Sequence, residues 1–239
     1  TIACAGLHVD ELAVGFLRSE GLLRSRADLE EVEVSRDRAE VRVRTVAEMK
    51  VAGLDPAGRT LASSGARGFG GAPAADPAVE VPGAVSLAPQ EILDLMDRFL
   101  GQARLHEETG GTHAAALARN GEIVVVREDI GRHNAIDMLG GYALLQSVEC
   151  RDAVILRTGR VSSEIVHKIQ RLGAPLVCSL SVPTSQAVLT RQKSPSPPLR
   201  SQARPRSNRR ARKRASTTRS GRPTSSLTVA RRWWSTLPW

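Results

Sequence analysis

Four segments combine glycine with hydroxyl, amide or charged side chains, and their residue types and spacing could support chemistry. Three of them are residues 109–113 (TGGTH), 127–134 (REDIGRHN) and 157–164 (RTGRVSSE), and a weaker fourth is 181–185 (SVPTS). Glycine lets a backbone approach a ligand closely, and the free amides at a helix N-terminus attract anions. These segments therefore predict loops that bind an anionic group.

Charged side chains within or next to the segments indicate which kind of anion they would bind. Arg132 and Arg160 could pair with phosphates in bidentate fashion, and Asp129 or Asp137 could accept hydrogen bonds from a base or a ribose. We expect a phosphorylated, nucleotide-like ligand. A single segment of this kind is often only a turn and a helix cap that binds no ligand. Three such segments in one chain together favour a binding site.

The histidines and cysteines do not predict a metal site. His113 opens a Thr-His-Ala-Ala string and lacks the His-x-Glu of the zinc deaminases. None of the three cysteines, Cys4, Cys150 and Cys178, belongs to a Cys-x-x-Cys pair. We expect no zinc and no other bound metal. An odd number of unpaired cysteines also argues against a disulfide framework and is typical of a reducing compartment.

Hydrophobic periodicity predicts the elements that position the four segments. Helices are expected over 10–23, 89–105, 113–119, 133–146 and 162–172 and after Pro183. Strands are expected as a pair within 31–46, around a turn at 36–38, and over 123–126, 154–156 and 176–180. Helix and strand alternate in the second half, which predicts an α/β sandwich with partly parallel strands.

Composition divides the chain into four parts. A helix and a strand pair occupy 1–54, a Gly/Ala/Pro-rich loop that we expect to be mobile occupies 55–88, and an α/β core occupies 89–190. The tail, 191–239, holds 14 of the 34 Lys and Arg residues and none of the 25 Asp and Glu residues. The net charge of +9 therefore belongs to the tail, and the rest of the chain is acidic.

The tail has too few apolar residues to offset the entropy of ordering it, so we predict that it is disordered. Its composition changes inside an apparent helix, which favours the hypothesis of a shifted reading frame. We expect it to bind nucleic acid only non-specifically, through one basic cluster. That cluster is Arg209, Arg210, Arg212, Lys213 and Arg214.

No apolar run approaches the roughly 18 residues of a membrane helix. No basic-then-apolar leader follows Thr1. We expect a cytoplasmic protein that does not bind membranes, and, because the first residue is not Met, a truncated N-terminus.

Five strings in the chain resemble the FdhD family of formate dehydrogenase accessory proteins. The most specific are GGTHAAAL (110–117) and EDIGRHNAID (128–137). TGRVSSEIVHKI (158–169) and SVPTSQAV (181–188) follow in the family's order, and CAGLHVDELAVGFLRSEGLL (4–23) is similar to its N-terminal helix. The resemblance covers roughly residues 2–189.

The resemblance implies a role in sulfur relay. Proteins of this family take persulfide sulfur from a cysteine desulfurase and pass it to the molybdenum or tungsten bis-guanine-dinucleotide cofactor of formate dehydrogenase. The implied fold is similar to that of the cytidine deaminases, without the catalytic zinc and with a smaller N-terminal α+β part. Formate dehydrogenase and the desulfurase are the implied partners, and a homodimer is an open alternative to a monomer.

By the resemblance, the guanine nucleotide ends of the cofactor are expected to contact residues in or next to the four segments. These residues are Gly110, Gly111, His113, Glu128, Asp129, Gly131, Arg132, His133, Asn134, Asp137, Gly159, Arg160, Ser162, Thr184 and Ser185.

The sequence departs from the family pattern in three places. The family carries Ser-Ser-Cys-x-x-Cys-Gly before the helix at 89–105, where this chain has Gly65 and Gly68, or Ala66 in a minority alignment with one cysteine. A persulfide needs a thiolate, so we assign no catalytic residue and expect sulfur transfer to be impaired. Met138 replaces the family's usual lysine, and the tail replaces its C-terminal Arg-Gly-rich segment.

Three alternatives to a sulfur carrier stay open. The chain could be a nucleotide-binding or cofactor-binding chaperone without sulfur chemistry. It could be a zinc hydrolase of deaminase type, which the absent ligands disfavour. It could be a nucleic-acid-binding protein that acts through its tail, although the tail contains no element that reads bases.

Overall fold

A five-stranded mixed sheet forms the centre of the computed structural model, which describes residues 1–47, 85–192 and 201–203. All of these residues belong to the first of two units of the chain, Thr1–Ala203. The helices are α1 (Val9–Ser19), α2 (Pro89–Gln102), α3 (Arg104–Thr109), α4 (Arg132–Leu145), α5 (Ser163–Leu172) and α6 (Ser185–Gln192). The strands are β1 (Leu29–Val34), β2 (Val41–Thr45), β3 (His113–Arg119), β4 (Glu122–Asp129), β5 (Ala153–Arg157), β6 (Leu176–Ser179) and β7 (Ser201–Ala203).

The strand order of the main sheet is β4-β3-β5-β6-β7. β3 runs antiparallel to β4 and to β5, whereas β5, β6 and β7 are mutually parallel. β1 and β2 form a separate antiparallel pair, as their alternating pattern predicts. The mixed α/β prediction is confirmed, and the further likeness to cytidine deaminases stays a prediction.

Apolar residues pack on both faces of the main sheet. On one face, α2 covers the sheet with Ile92, Leu95, Met96 and Phe99, which contact Ala114, Ala116, Leu156 and Cys178. On the other face, α4 and α5 cover it with Ile136, Leu139, Ile165 and Ile169, which contact Leu117, Ile155 and Val177. The sheet therefore lies between two helical layers. Within the described ranges, no helix combines the length and the apolar composition that crossing a membrane requires.

The predicted helix over 113–119 is wrong, because these residues form strand β3. Alanine favours helices, and the segment HAAALAR contains four alanines. However, β3 lies between β4 and β5, and its residues from Ala114 to Ala118 are all buried. A strand that is covered on both faces shows no polar alternation, so its sequence resembles a buried helix.

Two predicted regions lie largely outside the described residues. Of the loop at 55–88, the structure describes only 85–88, so the positions of Gly65, Ala66 and Gly68 fall outside it. In the predicted tail, α6 continues to Gln192 and Ser201–Ala203 form β7 beside β6. The rest of the tail, including its basic cluster, is outside the described residues.

Helix α1 crosses α4 at a distance that only glycine permits. A side chain added at Gly15 would overlap the carbonyl oxygen of Asp137, and one added at Gly141 would overlap the carbonyl oxygen of Glu11. The two backbones are therefore in direct contact. This contact brings the polar ends of α1 side chains within reach of β4 and α5.

Two buried ion pairs and one hydrogen bond stabilise the crossing of α1 and α4. Glu11 of α1 forms a bidentate pair with Arg127 of β4, with 2.6 Å between Oε1 and Nη2. Asp137 of α4 accepts hydrogen bonds from Lys168 of α5 at 2.7 and 2.8 Å and from the hydroxyl of Ser19 in α1. Three helices and one strand are thus joined through groups that are largely shielded from solvent.

The two adjacent glycines of α4 provide a test of the helix crossing. We expect Gly141→Ala to lower the free energy of unfolding by about 3 kcal/mol or more, because α1 must move away from α4. Gly140→Ala is the matched control, since its new methyl group would meet Gly15 at an ordinary 3.8 Å. That variant should stay within about 1 kcal/mol of wild type. Urea denaturation measures both, and equal stability of the two variants would show that the crossing is looser than described.

Candidate functional site

Four strand ends meet at one edge of the main sheet, which we call the strand-end edge and define by His113, Asp129, Arg157 and Ser179. His113 begins β3 opposite Asp129, which ends β4. Arg157 ends β5 beside Ser179, which ends β6. In sheets with parallel strands, ligands bind where the carboxyl ends of strands meet the loops that follow them. All four predicted segments lie at this edge.

Two helices of ten or more residues begin beside the strand-end edge. α4 starts after Gly131 and α5 starts after Ser162, and neither N-terminus receives a hydrogen bond from a capping side chain. The first segment differs from its prediction, because no helix follows it. Gly110 ends α3 in the left-handed conformation (φ 62°), and the exposed Gly110 and Gly111 lead into β3.

Asp129 organises the loop between β4 and α4. It is fully buried, and its Oδ1 accepts hydrogen bonds from the Gly131 amide at 2.8 Å and from the Asn134 side chain at 2.7 Å. Its Oδ2 accepts the Ala5 amide at 2.7 Å, and Asn134 also donates to the Ala3 carbonyl at 2.8 Å. Both side chains therefore hold the N-terminal segment against the loop.

Glu128 and Asp137, two further predicted ligand residues, also bond within the protein. Glu128 accepts hydrogen bonds from the backbone amides of Leu105 and His106 in the first turn of α3, at 3.2 and 2.7 Å. Asp137 forms the ion pair with Lys168 described above. These carboxylates position α3 and α5 instead of facing the strand-end edge.

The cationic side chains at the edge are arranged around Gly159. A Cβ atom on Gly159 would lie 3.1 Å from Arg157 Nη2, 3.1 Å from His113 Nδ1 and 3.3 Å from Arg132 Cβ. Arg157 is 1% exposed, and its Nε donates to the Gly159 carbonyl oxygen at 3.0 Å. Burial and the neighbouring Arg132 lower the pKa of Arg157 to about 9, so it remains charged at neutral pH.

The same positive surroundings act on two histidines. Burial, Arg157 and Arg132 lower the pKa of His113. Burial is also the main cause that lowers the pKa of His133 to about 4, followed by the charge of Arg132. His133 Nε2 lies 3.4 Å from the Glu164 carboxylate but forms no hydrogen bond with it. Both histidines are therefore neutral at pH 7.

The remaining predicted residues lie in the loops after β5 and β6. Arg160 is exposed, and the Ser162 hydroxyl donates to Glu164 at 3.2 Å. The Thr184 amide donates to the Val161 carbonyl at 2.9 Å, and its hydroxyl accepts the Ala187 amide in α6. Ser185 begins α6 and is exposed. The third and fourth segments are thus hydrogen-bonded to each other.

Thr112 and Arg157 fall within predicted segments but are not among the predicted ligand residues, and the sequence does not indicate Ser179 at all. Arg157 ends the otherwise apolar strand AVILR, and a charge at that position is the signal that could have marked it. The Thr112 hydroxyl and the Ser179 hydroxyl are both buried there. The part of the chain that the structure describes contains no group of three His, Cys, Asp or Glu residues that could hold a metal ion.

The three cysteines differ in accessibility. Burial raises the pKa of Cys150 to about 11 and that of Cys178 to about 12, so neither is a ready thiolate. Cys4 is partly exposed. Its neighbours Ala3 and Ala5 are the residues that bond to Asn134 and Asp129, so the backbone of Cys4 lies beside the strand-end edge.

The pKa of His133 generates a prediction for acid stability. The folded state holds this histidine neutral down to about pH 4, whereas the unfolded chain protonates it near pH 6.5. The unfolded state therefore binds more protons in this window, and stability falls as the pH drops from about 6.5 to about 4. We expect His133→Gln to remove a loss on the order of 2 kcal/mol.

Urea unfolding at pH 7 and pH 4.5 measures this difference. The exposed His8 provides a control, because His8→Gln should keep the wild-type loss of stability on acidification. An acid response of His133→Gln that matches wild type would contradict the prediction.

Comparisons with known proteins identify the family. The FdhD/NarQ family matches residues 1–194 of the chain. Proteins named sulfur carrier protein FdhD from Bacillus licheniformis and Geobacillus kaustophilus are 34% and 36% identical to it over 190 residues, which are 79% of this chain and 72% of each relative. A solved structure from Desulfotalea psychrophila, whose name describes a formate dehydrogenase accessory protein, shares the fold with a TM-score of 0.62 and 24% identity, over 84% of this chain and 76% of that one. The chain belongs to the FdhD/NarQ family.

Proposed function

We propose that the chain is a sulfur-carrier homologue that acts in formate dehydrogenase maturation. Its substrate would be the molybdenum bis-guanine-dinucleotide cofactor of the client enzyme, bound by its nucleotide ends at the strand-end edge. The names of its relatives support the sulfur-carrier role. Formate dehydrogenase, a cysteine desulfurase as sulfur donor and a homodimeric assembly are parts of this proposal.

The guanidinium groups at the strand-end edge carry the proposal for a nucleotide. Arg132 and Arg157 lie on two sides of Gly159, while Asp129, Glu128 and Asp137 use their oxygens for bonds within the chain. The helices α4 and α5 add free amides at the same edge. A dianionic or trianionic ligand such as a nucleoside diphosphate matches this arrangement.

The thiols available to the chain limit the proposed chemistry. In sulfur relay, the carrier's thiolate attacks the outer sulfur of the donor's persulfide, and the donor leaves as a thiolate. The family positions for this thiolate are occupied by Gly65 and Gly68, or Ala66. Cys150 and Cys178 are buried, which leaves Cys4 as a partly exposed thiol in the described part of the chain. We infer that sulfur transfer is impaired.

The same observation favours a second candidate function. A protein that binds the cofactor but carries no persulfide would act as a chaperone of the cofactor or of its enzyme. The strand-end edge would serve both functions equally, because nucleotide binding does not involve the missing thiols. A measurement of sulfur transfer separates the two.

Calorimetry with GDP tests the nucleotide site. We expect GDP to bind the wild-type chain, and we expect Arg132→Ala to weaken it about tenfold or more, because a charge-assisted hydrogen bond is lost. Arg151→Ala, in the exposed turn before β5, is the control and should bind like wild type. Absence of GDP binding to the wild-type chain would remove the nucleotide from the proposal.

Persulfide mapping tests the sulfur chemistry. The chain is incubated with a cysteine desulfurase and labelled cysteine, and we expect no stable label on the wild-type protein. Restoring cysteines with Gly65→Cys and Gly68→Cys together should produce label at those positions. Label on the wild-type chain that disappears in Cys4→Ala would instead relocate the carrier thiol to the N-terminal segment and reject the chaperone.

A further inference from the structure

Arg157 carries a charge that its local structure does not explain. It is 1% exposed, and its Nη1 has no hydrogen-bond partner among the described residues. An unpaired guanidinium nitrogen is costly to bury. The Gly159 carbonyl does not depend on Arg157 Nε, because the Ser179 hydroxyl donates to the same oxygen at 2.8 Å. A fold that needed only to bond Gly159 would not require the arginine.

Other polar groups at this edge are also unsatisfied. Five buried side-chain nitrogen or oxygen atoms lack a partner in the described part of the chain, and four of them belong to Thr112, His133 and Arg157. The fifth is Nε of Arg18 in α1, whose Nη1 donates to the Gly140 carbonyl oxygen. Buried polar groups are otherwise hydrogen-bonded almost without exception, so their concentration at one edge indicates a missing partner there.

Gly159 allows Arg157 and His113 to lie close together. A Cβ on Gly159 would lie 3.1 Å from both Arg157 Nη2 and His113 Nδ1, which is tighter than an ordinary contact, so the absence of a side chain lets these two groups converge beside its backbone. The charged neighbour that acts on Arg157 is Arg132, which is also positive, and no carboxylate among the described residues acts on it in the same way. A partner that accepts hydrogen bonds and carries negative charge would therefore be favoured at Arg157.

We propose that Arg157, with His113 and the first turn of α4, forms a subsite for one tetrahedral oxyanion, and that a phosphoryl group of the nucleotide ligand occupies it. The identity of this occupant rests on the proposed function, whereas the affinity for an oxyanion does not.

A tetrahedral oxyanion suits this subsite better than a single halide ion or a neutral carbonyl. The planar fork of a guanidinium group donates two parallel hydrogen bonds to phosphate-like oxygens. Helix α4 has no acidic residue in its first turn and no side chain that caps its amides, so its N-terminus can accept negative charge. Arg157 acts here as a binding and positioning residue.

The first experiment measures melting temperatures of the full chain in buffer without oxyanions and again with pyrophosphate. The variants are Arg157→Met and Arg157→Lys, with Arg151→Met as an exposed control in the turn before β5. Without oxyanion, we expect Arg157→Met to melt at or above the wild-type temperature, because an apolar side chain of similar length replaces an unpaired buried charge. Pyrophosphate should raise the melting temperature of wild type and of Arg151→Met but not of Arg157→Met.

The second experiment identifies the source of the oxyanion by calorimetry with GDP, guanosine and inorganic phosphate. We expect Arg157→Met to weaken GDP binding about 10- to 100-fold and to leave guanosine binding unchanged. Arg157→Lys should be intermediate, since it keeps the charge but loses the fork. Arg157-dependent binding of phosphate without any binding of GDP or guanosine would assign the subsite to free oxyanions and would contradict the proposed nucleotide instead.

Two results would overturn the subsite. The first is equal affinity of wild type and Arg157→Met for GDP, pyrophosphate and phosphate, which would leave the proposed nucleotide function intact but without this group. The second is a clear loss of melting temperature in Arg157→Met without oxyanion, which would show that Arg157 supports the fold itself. Should Arg157→Met fail to fold, that failure counts as the second result, and Arg157→Lys then reports whether the oxyanion response remains.

Discussion

The backbone contact between α1 and α4 is the constraint on which the rest of the structure depends. Gly15 and Gly141 let the two helices touch without intervening side chains. Only at this separation can Glu11 reach Arg127 on the sheet and Ser19 reach Asp137. The same placement brings the N-terminal residues onto Asp129 and Asn134, so the helix crossing also sets the shape of the loop that begins α4.

Much of the fold follows from local sequence, and its failures have physical causes. Amphipathic stripes in α2 and α5 and alternation in β1 and β2 predict those elements, because each has one covered and one exposed face. β3 is covered on both faces and built from alanine, so periodicity carries no information there and propensity points to a helix. The position of α1 on α4 depends on contacts across more than a hundred residues, which no local pattern reports.

For the candidate site, the sequence identifies the loops, but it does not show which of their residues face a ligand and which only hold the loops in place. The polar residues at 128–137 include both groups that face the strand-end edge, such as Arg132, and groups that brace it, such as Asp129 and Asp137. Whether a carboxylate faces the edge or bonds within the protein depends on which backbone amides or lysines lie beside it in the folded chain. Arg157 begins the third segment but is not among the predicted ligand residues, because only the structure shows that it is buried with Nη1 unpaired.

The long sequence separation of the α1 contacts has a consequence for synthesis of the chain on the ribosome. Ala5 bonds to Asp129 across 124 residues, and Arg18 bonds to Leu172 across 154. The first helix therefore leaves the ribosome long before its partners exist, with Val9, Leu12 and Val14 exposed on the nascent chain. Closing so long a loop costs entropy that only the finished core offsets. The strand-end edge is thus completed late, and α1 needs protection from aggregation until its partners have been synthesised.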